Sequence, residues 1–288
     1  MTVLILGATG NVGPHVVASL HRDGTTPRVL VRDGDRAQEL LGDSAEIRSG
    51  DVRDPGVLAA AMEGVDTVLL LSPHSFSMSD LQLGVIREVR RSGARIVKVS
   101  GTSPAIRPDG PHVCRQHWEV ERILQDSGQP FVILRPNSFM QVLIGKQLIP
   151  TLQSTGTAPN PIAGSGISFV DARDVGEVAA RVLLGHEWDG QTLELTGPRS
   201  VTYGEIAALA SELLGHEVST VDVTPAQVKA TLIGRGMPDW EADHFEEMYQ
   251  LFRDGESEFV TSTIDEITGT PARTVESFLS EQLSQVSA

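Results

Sequence analysis

The amino-terminal strand, turn and helix constrain this chain more than any other feature. The apolar run Val3-Leu4-Ile5-Leu6 predicts a buried strand, and it leads through glycines at positions 7, 10 and 13 into a helix-like segment, residues 14–21. Gly7 permits a tight turn, Gly10 lets a ligand approach the backbone, and Gly13 lets the helix pack closely on the strand. The N–H groups of such a turn and the positive end of the helix dipole together bind a pyrophosphate. The pattern predicts a dinucleotide site, with a glycine-rich turn that binds nothing as the alternative.

The end of the second predicted strand indicates which dinucleotide is bound. The strand Arg28–Val31 is followed by Arg32, and Arg36 comes one helical turn later. NAD sites usually place a carboxylate here for the ribose 2′-hydroxyl, whereas NADP sites need cations for the 2′-phosphate. A guanidinium pairs with a phosphate bidentately and stacks on adenine, so the sequence favours NADP(H). Asp33 leaves open the alternative that a carboxylate faces a ribose hydroxyl.

Strands rich in Val, Ile and Leu alternate with helical stretches along the chain. This alternation predicts an α/β fold, a Rossmann-type doubly wound parallel sheet with helices on both faces. Residues 1–150 are predicted to form the NADP(H)-binding domain, completed by about 169–196, while 151–168 and 197–288 form a smaller, mainly helical substrate lobe. The predicted strands are Val3–Leu6, Arg28–Val31, Ala45–Arg48, Thr67–Leu71, Ile96–Val99, Phe131–Leu134 and Gln191–Thr196.

Helix starts and loops are predicted from capping residues and turn formers. Residues 151–166 are rich in Pro, Gly, Ser, Thr and Asn and predict loops over a cleft, and three or four helices are expected after Gly197. The predicted caps are Ser79 with Gln82, Thr202 with Glu205, Thr224 with Gln227, Asp54 before Pro55, and Asp171 before a helix through about Leu184.

Charge and cysteine content exclude several classes of protein. A formal net charge of −15 disfavours nucleic acid and anionic lipid as partners. No apolar run approaches the ~20 residues that a bilayer span needs. The single cysteine, Cys114, fits a reducing compartment. We therefore expect a cytoplasmic protein that binds a small molecule, and a homodimer is left open.

Further motifs accompany the glycine turn, whose spacing is Gly-x-x-Gly-x-x-Gly. They are Gly50-Asp51-Val52-Arg53-Asp54, Ser127-Gly128, Leu134-Arg135-Pro136-Asn137, the segment Phe169 to Val175, Leu195-Thr196-Gly197-Pro198, and Ile267-Thr268-Gly269 before Arg273-Thr274. On these residues the chain resembles, nearly end to end, the NmrA-like branch of the atypical short-chain dehydrogenase/reductase superfamily. That branch contains NADPH-dependent quinone reductases, dye reductases and redox-sensing regulators.

The resemblance implies cofactor contacts at matching positions. For Asp51, which is implied to contact the adenine, the alternative is a role as a helix N-cap. The implied contacts are the pyrophosphate and ribose for Gly7, Thr9, Gly10, Asn11 and Val12, the 2′-phosphate for Arg32, the adenine for Asp51 and Val52, the nicotinamide-side ribose for Leu71 and Ser72, and the nicotinamide for Pro136, Asn137 and Phe139. The glycine turn and the end of the second strand add Gly13 and Arg36 to the predicted cofactor-binding residues.

The Tyr-x-x-x-Lys pair of most short-chain dehydrogenases is missing. Neither tyrosine, Tyr203 or Tyr249, has a lysine four residues later. In isoflavone-reductase-like proteins a lysine lies eleven residues before the glycine that matches Gly128, and His117 stands at that offset. The resemblance makes His117 the candidate catalytic proton donor or nicotinamide-positioning group. A helix histidine that contacts ribose or fills the wall is the alternative.

Two further groupings have simpler interpretations. Cys114, His117 and Glu121 share one helix face, but three ligands on one helix rarely converge on a metal, and we predict no metal site. Candidates for an apolar substrate wall, with ordinary core packing as the alternative, are Phe139, Met140, Trp240, Met248 and Phe252.

The resemblance predicts an NAD(P)H-dependent oxidoreductase that transfers hydride from NADPH to a small apolar electrophile such as a quinone, dye, enone or related secondary metabolite. A quinone or cationic dye accepts hydride at a site that is already electron-poor and its product takes a proton from water, so it needs a dedicated acid less than a simple ketone does. The alternative from another class is a non-catalytic NADP(H) sensor acting through a protein partner. A dehydratase or isomerase on the same fold is also open.

Overall fold

The computed structural model describes residues 1–284, which pack into two compact units. Unit 1 comprises Met1–Gly101, Gln116–Arg135 and Ala172–Leu193. Unit 2 comprises Thr102–Arg115, Pro136–Asp171 and the described residues from Glu194 onward. Residues 102–115 and 136–150, expected within the cofactor domain, therefore pack in unit 2.

Strands and helices alternate through unit 1, and further strands and helices form unit 2. The strands are β1 (Val3–Leu6), β2 (Arg28–Val31), β3 (Glu46–Ser49), β4 (Thr67–Leu70), β5 (Arg95–Val99), β6 (Phe131–Pro136), β7 (Thr157–Asn160), β8 (Gly166–Ile167), β9 (Thr192–Leu195), β10 (Val201–Thr202) and β11 (Ser219–Asp222). The helices are α1 (Gly13–Arg22), α2 (Gly34–Leu41), α3 (Pro55–Ala61), α4 (Met78–Ser92), α5 (His112–Gln125), α6 (Ile149–Thr155), α7 (Ala172–Leu184), α8 (Tyr203–Leu214), α9 (Pro225–Gly234), α10 (Asp239–Arg253), α11 (Thr263–Thr268) and α12 (Val275–Ser284). A π-helix, Gln141–Leu148, precedes α6.

Seven strands form one sheet in the order β3-β2-β1-β4-β5-β6-β9. The pairs from β3 to β6 are parallel, and Ile5 of β1 lies opposite Val29 on one side and Leu69 on the other. The strand order reverses between β1 and β4. Open α/β sheets bind ligands outside the carboxyl ends of the strands at such a point. The predicted Rossmann-type fold is confirmed, and the glycine turn lies where this topology places a ligand.

Apolar strand residues are covered by helices on both faces of the sheet. On one face Leu70 and Ile96 pack in a cluster with Val120 and Leu124 of α5. On the other face α7 lies against α1, so closely that an added Cβ at Gly176 would be 2.5 Å from the Cβ of His15. This double burial explains why the central strands β1 and β4 are buried throughout and apolar at nearly every position.

Most predicted helix starts are confirmed, and one is wrong. Thr202 with Glu205 and Thr224 with Gln227 form capping boxes, Asp54 accepts hydrogen bonds from the start of α3, and α7 begins directly after Asp171. The predicted Ser79–Gln82 box does not form. Helix α4 begins at Met78 with Ser77 as its N-cap, and the Gln82 side chain is used elsewhere.

The prediction of loops over residues 151–166 is also wrong in part. This segment contains the end of α6, all of β7 and the start of β8. Strand β7 pairs with β11, which lies some sixty residues later, so its partner could not be recognised from local composition. The described residues after Gly197 contain five helices, α8 to α12, where three or four were expected. Every helix within residues 1–284 is too short or too polar to cross a membrane.

Candidate functional site

The turn after β1 has the open backbone surface that a pyrophosphate needs. Gly7 has a φ of 79°, and an added Cβ there would lie 2.6 Å from the Leu71 carbonyl oxygen. An added Cβ at Gly13 would lie 2.3 Å from the Gly7 oxygen, so the fold itself requires both glycines. At Gly10, which is exposed, the Gly7 oxygen at 3.4 Å would be the one neighbour within 4 Å among the described residues. The protein therefore leaves the face of Gly10 accessible to a ligand.

The start of α1 adds a favourable electrostatic position for an anion. The helix begins at Gly13, and its N-cap is Val12, whose apolar side chain cannot accept a hydrogen bond from the first turn. The N–H groups of a first turn that lacks such a cap can bind a phosphate, aided by the helix dipole. Thr9 is half-buried and Asn11 is exposed on the same turn. These residues fit the diphosphate of a dinucleotide.

The end of β2 favours a phosphorylated ribose. Arg32 and Arg36 are both exposed. Asp33 is the residue that left NAD as the alternative cofactor. It is the N-cap of α2, and its Oδ1 accepts a hydrogen bond from the Arg36 backbone N–H at 3.0 Å. Capping holds this carboxylate at the helix start and supports the NADP(H) interpretation.

Asp51 lies near Arg32. Its carboxylate pairs with Arg53 at 2.6 Å, and the hydrogen bond from Arg53 lowers the pKa of Asp51 to about 2, with a contribution from the charge of Arg32. Asp51 is therefore ionised at neutral pH. The alternative role of Asp51 as a helix cap is wrong, because Asp54 is the N-cap of α3. Val52 is half-buried against the core cluster of unit 1.

Two buried glutamines, Gln82 and Gln116, hold the segment after β4 in place. The sequence alone assigns this role to neither residue. Gln82 donates to the Ser72 hydroxyl oxygen at 2.8 Å. Gln116 accepts from the Ser79 N–H at 2.8 Å and donates to the Ser75 carbonyl at 3.1 Å. Because the Ser72 oxygen accepts from Gln82, its hydroxyl hydrogen remains available to donate to a ribose. The spacing of Gln82 from Ser79 matches a capping box, so the contact of Gln82 with Ser72 has no distinct signal in the sequence.

His117 is paired with a buried lysine that the sequence did not single out. The Nδ1 of His117 lies 2.8 Å from the Nζ of Lys98, which is completely buried at the end of β5. Burial lowers the pKa of Lys98 to about 7, the nearby Glu121 carboxylate opposes this, and the Arg135 guanidinium adds to it. A lysine within the apolar run Ile96–Val99 was the signal that could have identified it.

The other residues on the predicted face of α5 contact different partners. Glu121 accepts hydrogen bonds from the Ser100 hydroxyl and from Arg135, both at 2.5 Å. Cys114, in unit 2, lies 3.7 Å from the sulfur of Met248, and burial raises the pKa of its thiol to about 12. In residues 1–284 no group of three or more His, Cys, Asp or Glu side chains has the arrangement of a metal site.

Lys98 gives a testable dependence of stability on pH. An unfolded chain keeps the lysine pKa near 10.5, whereas the folded value is about 7, so above pH 7 the unfolded state binds a proton that the folded state does not. The free energy of unfolding should therefore rise with pH, by up to about 1.4 kcal/mol per unit. The Cys114 thiol has the opposite effect only above its ordinary value of 9.0. Urea unfolding between pH 7 and pH 9 should show that the free energy of unfolding rises with pH in the wild type and that this rise is absent in Lys98→Met. The same dependence on pH in both proteins would contradict the prediction.

The residues after β6 lie in unit 2 and serve its fold. The buried Asn137 side chain donates to Ser168 and to the Ser257 carbonyl, and accepts from the Ser138 N–H and the Ser257 hydroxyl. All four of its hydrogen-bonding positions are used, so a cofactor has access only to its backbone. Pro136 is buried, and Phe139 is half-buried and bridges Val170 through the backbone. Their assignment to the nicotinamide stays a prediction.

The two tyrosines are not placed as proton donors. Tyr249 donates to Gln147 at 2.7 Å, burial raises the pKa of Tyr249 to about 12, and burial raises the pKa of Tyr203 well above its ordinary value. Both line a cavity of about 220 Å³ in unit 2, together with the apolar Leu143 and Leu148. Of the proposed substrate wall, Met140 and Phe252 are fully buried core residues of unit 2.

Comparison with known proteins assigns a family. The family model described as the NmrA-like family matches residues 1–279. The NAD(P)H azoreductase of Xenophilus azovorans is 31% identical over 277 residues, which cover 96% of both chains. Quinone oxidoreductase 2 of Escherichia coli is 28% identical over 251 residues, 84% of both chains. The crystal structure of the Escherichia coli NADPH-dependent quinone oxidoreductase QOR2 complexed with NADPH superposes with a TM-score of 0.87 at 25% identity, covering 99% of this chain and 100% of that one.

Proposed function

We propose that this chain, which belongs to the NmrA-like family, is an NADPH-dependent reductase that transfers hydride to small, apolar, electron-poor acceptors such as quinones and dyes. The observation that carries the proposal is the open face of Gly10 at the switch point of the sheet, with Arg32 at the end of the neighbouring strand. Relatives named as an azoreductase and a quinone oxidoreductase support this class of acceptor.

The residues of unit 1 divide the binding of NADPH among them. The backbone N–H groups from Gly10 to Gly13 bind the diphosphate at the start of α1. Arg32, with Arg36 beside it, binds the 2′-phosphate, and a charge-assisted bidentate contact gives this step its selectivity over NADH. The Ser72 hydroxyl, held by Gln82, donates to the ribose on the nicotinamide side.

The chemistry needs no tyrosine acid. When bound, the nicotinamide supplies the hydride. Burial raises the pKa of Tyr203 and of Tyr249, whereas the lysine of a Tyr-x-x-x-Lys pair lowers the pKa of its tyrosine, and the Tyr249 hydroxyl already donates to Gln147. A quinone or dye accepts hydride at an electron-poor atom, and the reduced product takes its proton from water. The protein contributes orientation and exclusion of water from the reacting atoms.

A panel of acceptors tests this proposal. NADPH oxidation should be followed by absorbance with quinones, azo and cationic dyes, enones and simple ketones at matched concentrations. We expect turnover with one or more of the quinones and dyes, and turnover with ketones at least about tenfold slower, because a ketone alkoxide needs a positioned acid. Turnover of simple ketones alone would contradict the proposal. Tight cofactor binding without turnover of any acceptor would favour a sensor.

The proposal includes the setting in which the protein works. A cytoplasmic location is supported by the single cysteine, Cys114, which is free and buried. The net charge of −15 supports a small-molecule substrate over nucleic acid. Light scattering tests whether the protein is a homodimer.

A further inference from the structure

The buried amine of Lys98 lacks an obvious structural purpose. Its side chain is completely buried, and its register neighbours are the apolar Leu70 of β4 and Ile133 of β6. Burying an ammonium costs free energy unless it is paired and hydrogen-bonded. An apolar residue would fill this position of the sheet more favourably, so the amine is expected to serve a neighbouring group.

The group that the amine contacts is the imidazole of His117. The Nζ of Lys98 lies 2.8 Å from Nδ1, and the next contact of Nζ, to the Val99 carbonyl, is longer at 3.4 Å. An ammonium has three donors and no acceptor. When Lys98 is charged, Nδ1 must therefore accept, which leaves the ring proton on Nε2. An imidazolium would place a second N–H against the ammonium, so the two groups do not carry positive charge together.

Two charged groups near the pair act on Lys98 in opposite directions. Glu121 of α5 acts on Lys98 and favours its ammonium form, while Arg135 of β6 opposes it. Glu121 is itself occupied by the Ser100 hydroxyl and by Arg135. The Glu121 carboxylate therefore favours the ammonium form of Lys98, while Lys98 remains the group that contacts Nδ1 of His117.

We propose that Lys98 is a positioning residue for His117. The Lys98 ammonium donates a hydrogen bond to Nδ1 of His117 and keeps the imidazole neutral, with its proton on Nε2. This inference rests on the proposed function and deepens it. His117 then acts as a neutral hydrogen-bond donor that orients the cofactor or the acceptor, and it does not act as an imidazolium acid. A neutral donor suits acceptors that take hydride without an obligatory proton.

The ring tautomer can be measured directly. Protein with ¹⁵N-labelled histidine rings should be examined by NMR at a pH about one unit below the pKa of Lys98, with His117→Gln to assign the signals. We expect Nδ1 of His117 to be unprotonated and Nε2 to be protonated. A proton on Nδ1 in the wild type overturns the proposal, and this result does not depend on turnover.

Substitution separates positioning from structure. In Lys98→Met we expect His117 to show mixed tautomers or to take a second proton, and kcat to fall about tenfold, as for the loss of one hydrogen bond, with KM for NADPH unchanged. Lys229→Met removes a half-buried lysine paired with Asp243 and Glu246, and should change neither the tautomer nor kcat. A Lys98→Met protein with the wild-type tautomer, or with full turnover, overturns the proposal. Absence of turnover in the wild type together with the expected tautomer would count against the proposed function alone.

Discussion

The Gly10→Ala substitution is expected to weaken NADPH binding on the order of 100-fold while leaving the fold intact. The added Cβ would stand on the exposed face of the turn, where the Gly7 oxygen at 3.4 Å is its nearest protein neighbour. A pyrophosphate displaced from this face would lose one or two charge-assisted hydrogen bonds, each contributing about 1.5–3 kcal/mol. Isothermal titration calorimetry measures the loss, and circular dichroism and urea unfolding check the fold.

Two other glycines provide the controls for this experiment. Gly84→Ala places a Cβ on α4 that, within residues 1–284, would meet only the end of the Arg87 side chain at 3.7 Å, so we expect normal NADPH affinity. Gly13→Ala would drive a Cβ to 2.3 Å from the Gly7 oxygen and should disturb both folding and binding. If Gly10→Ala bound NADPH as well as Gly84→Ala does, the diphosphate would not lie on this turn.

The Arg32→Ala substitution is expected to remove most of the preference for NADPH over NADH. Loss of a charge-assisted contact to the 2′-phosphate should weaken NADPH binding about 10-fold to 100-fold, whereas NADH, which lacks this phosphate, should bind nearly as before. Asp33 is not expected to strengthen NADH binding by accepting a hydrogen bond from the ribose 2′-hydroxyl, because its carboxylate caps α2. Dissociation constants for both coenzymes, measured by calorimetry, give the ratio.

A matched arginine separates this contact from a general change in charge. Arg91 has a side chain that is 76% exposed and paired with Glu88 on α4, so Arg91→Ala changes the net charge equally. We expect Arg91→Ala to keep the wild-type ratio of the two dissociation constants. An unchanged ratio in Arg32→Ala would place the recognition of the 2′-phosphate elsewhere, with Arg36 as the next candidate.

The sheet could be predicted from the sequence because its signals are local. A run such as Val3–Leu6 is apolar at every position, since both faces of a parallel sheet are covered, and the turn that follows contains glycines that the fold requires. The capping boxes at Thr202 and Thr224 are equally local. Strands β7 and β11 escaped prediction because each is defined by a partner far away in the chain.

Only the part of the candidate site that depends on local sequence could be predicted. Arg32 follows a recognisable strand, and its position could be inferred from the sequence. Lys98 could not be given a role, because its significance depends on a contact at 2.8 Å with His117, a residue on another element. Gln82 matched a capping pattern by chance and instead holds Ser72. Side-chain pairing across elements is three-dimensional information that residue spacing does not contain.

Anaerobic mixing of the protein–NADPH complex with a quinone tests the central claim most directly. With protein in excess over NADPH, the near-ultraviolet absorbance of the reduced nicotinamide should decay in a single turnover, with one quinol formed for each NADPH consumed. The decay should slow markedly when Gly10→Ala protein is used at the same concentrations. Persistence of the absorbance with every quinone and dye, in a complex shown by calorimetry to contain bound NADPH, would contradict a reductase.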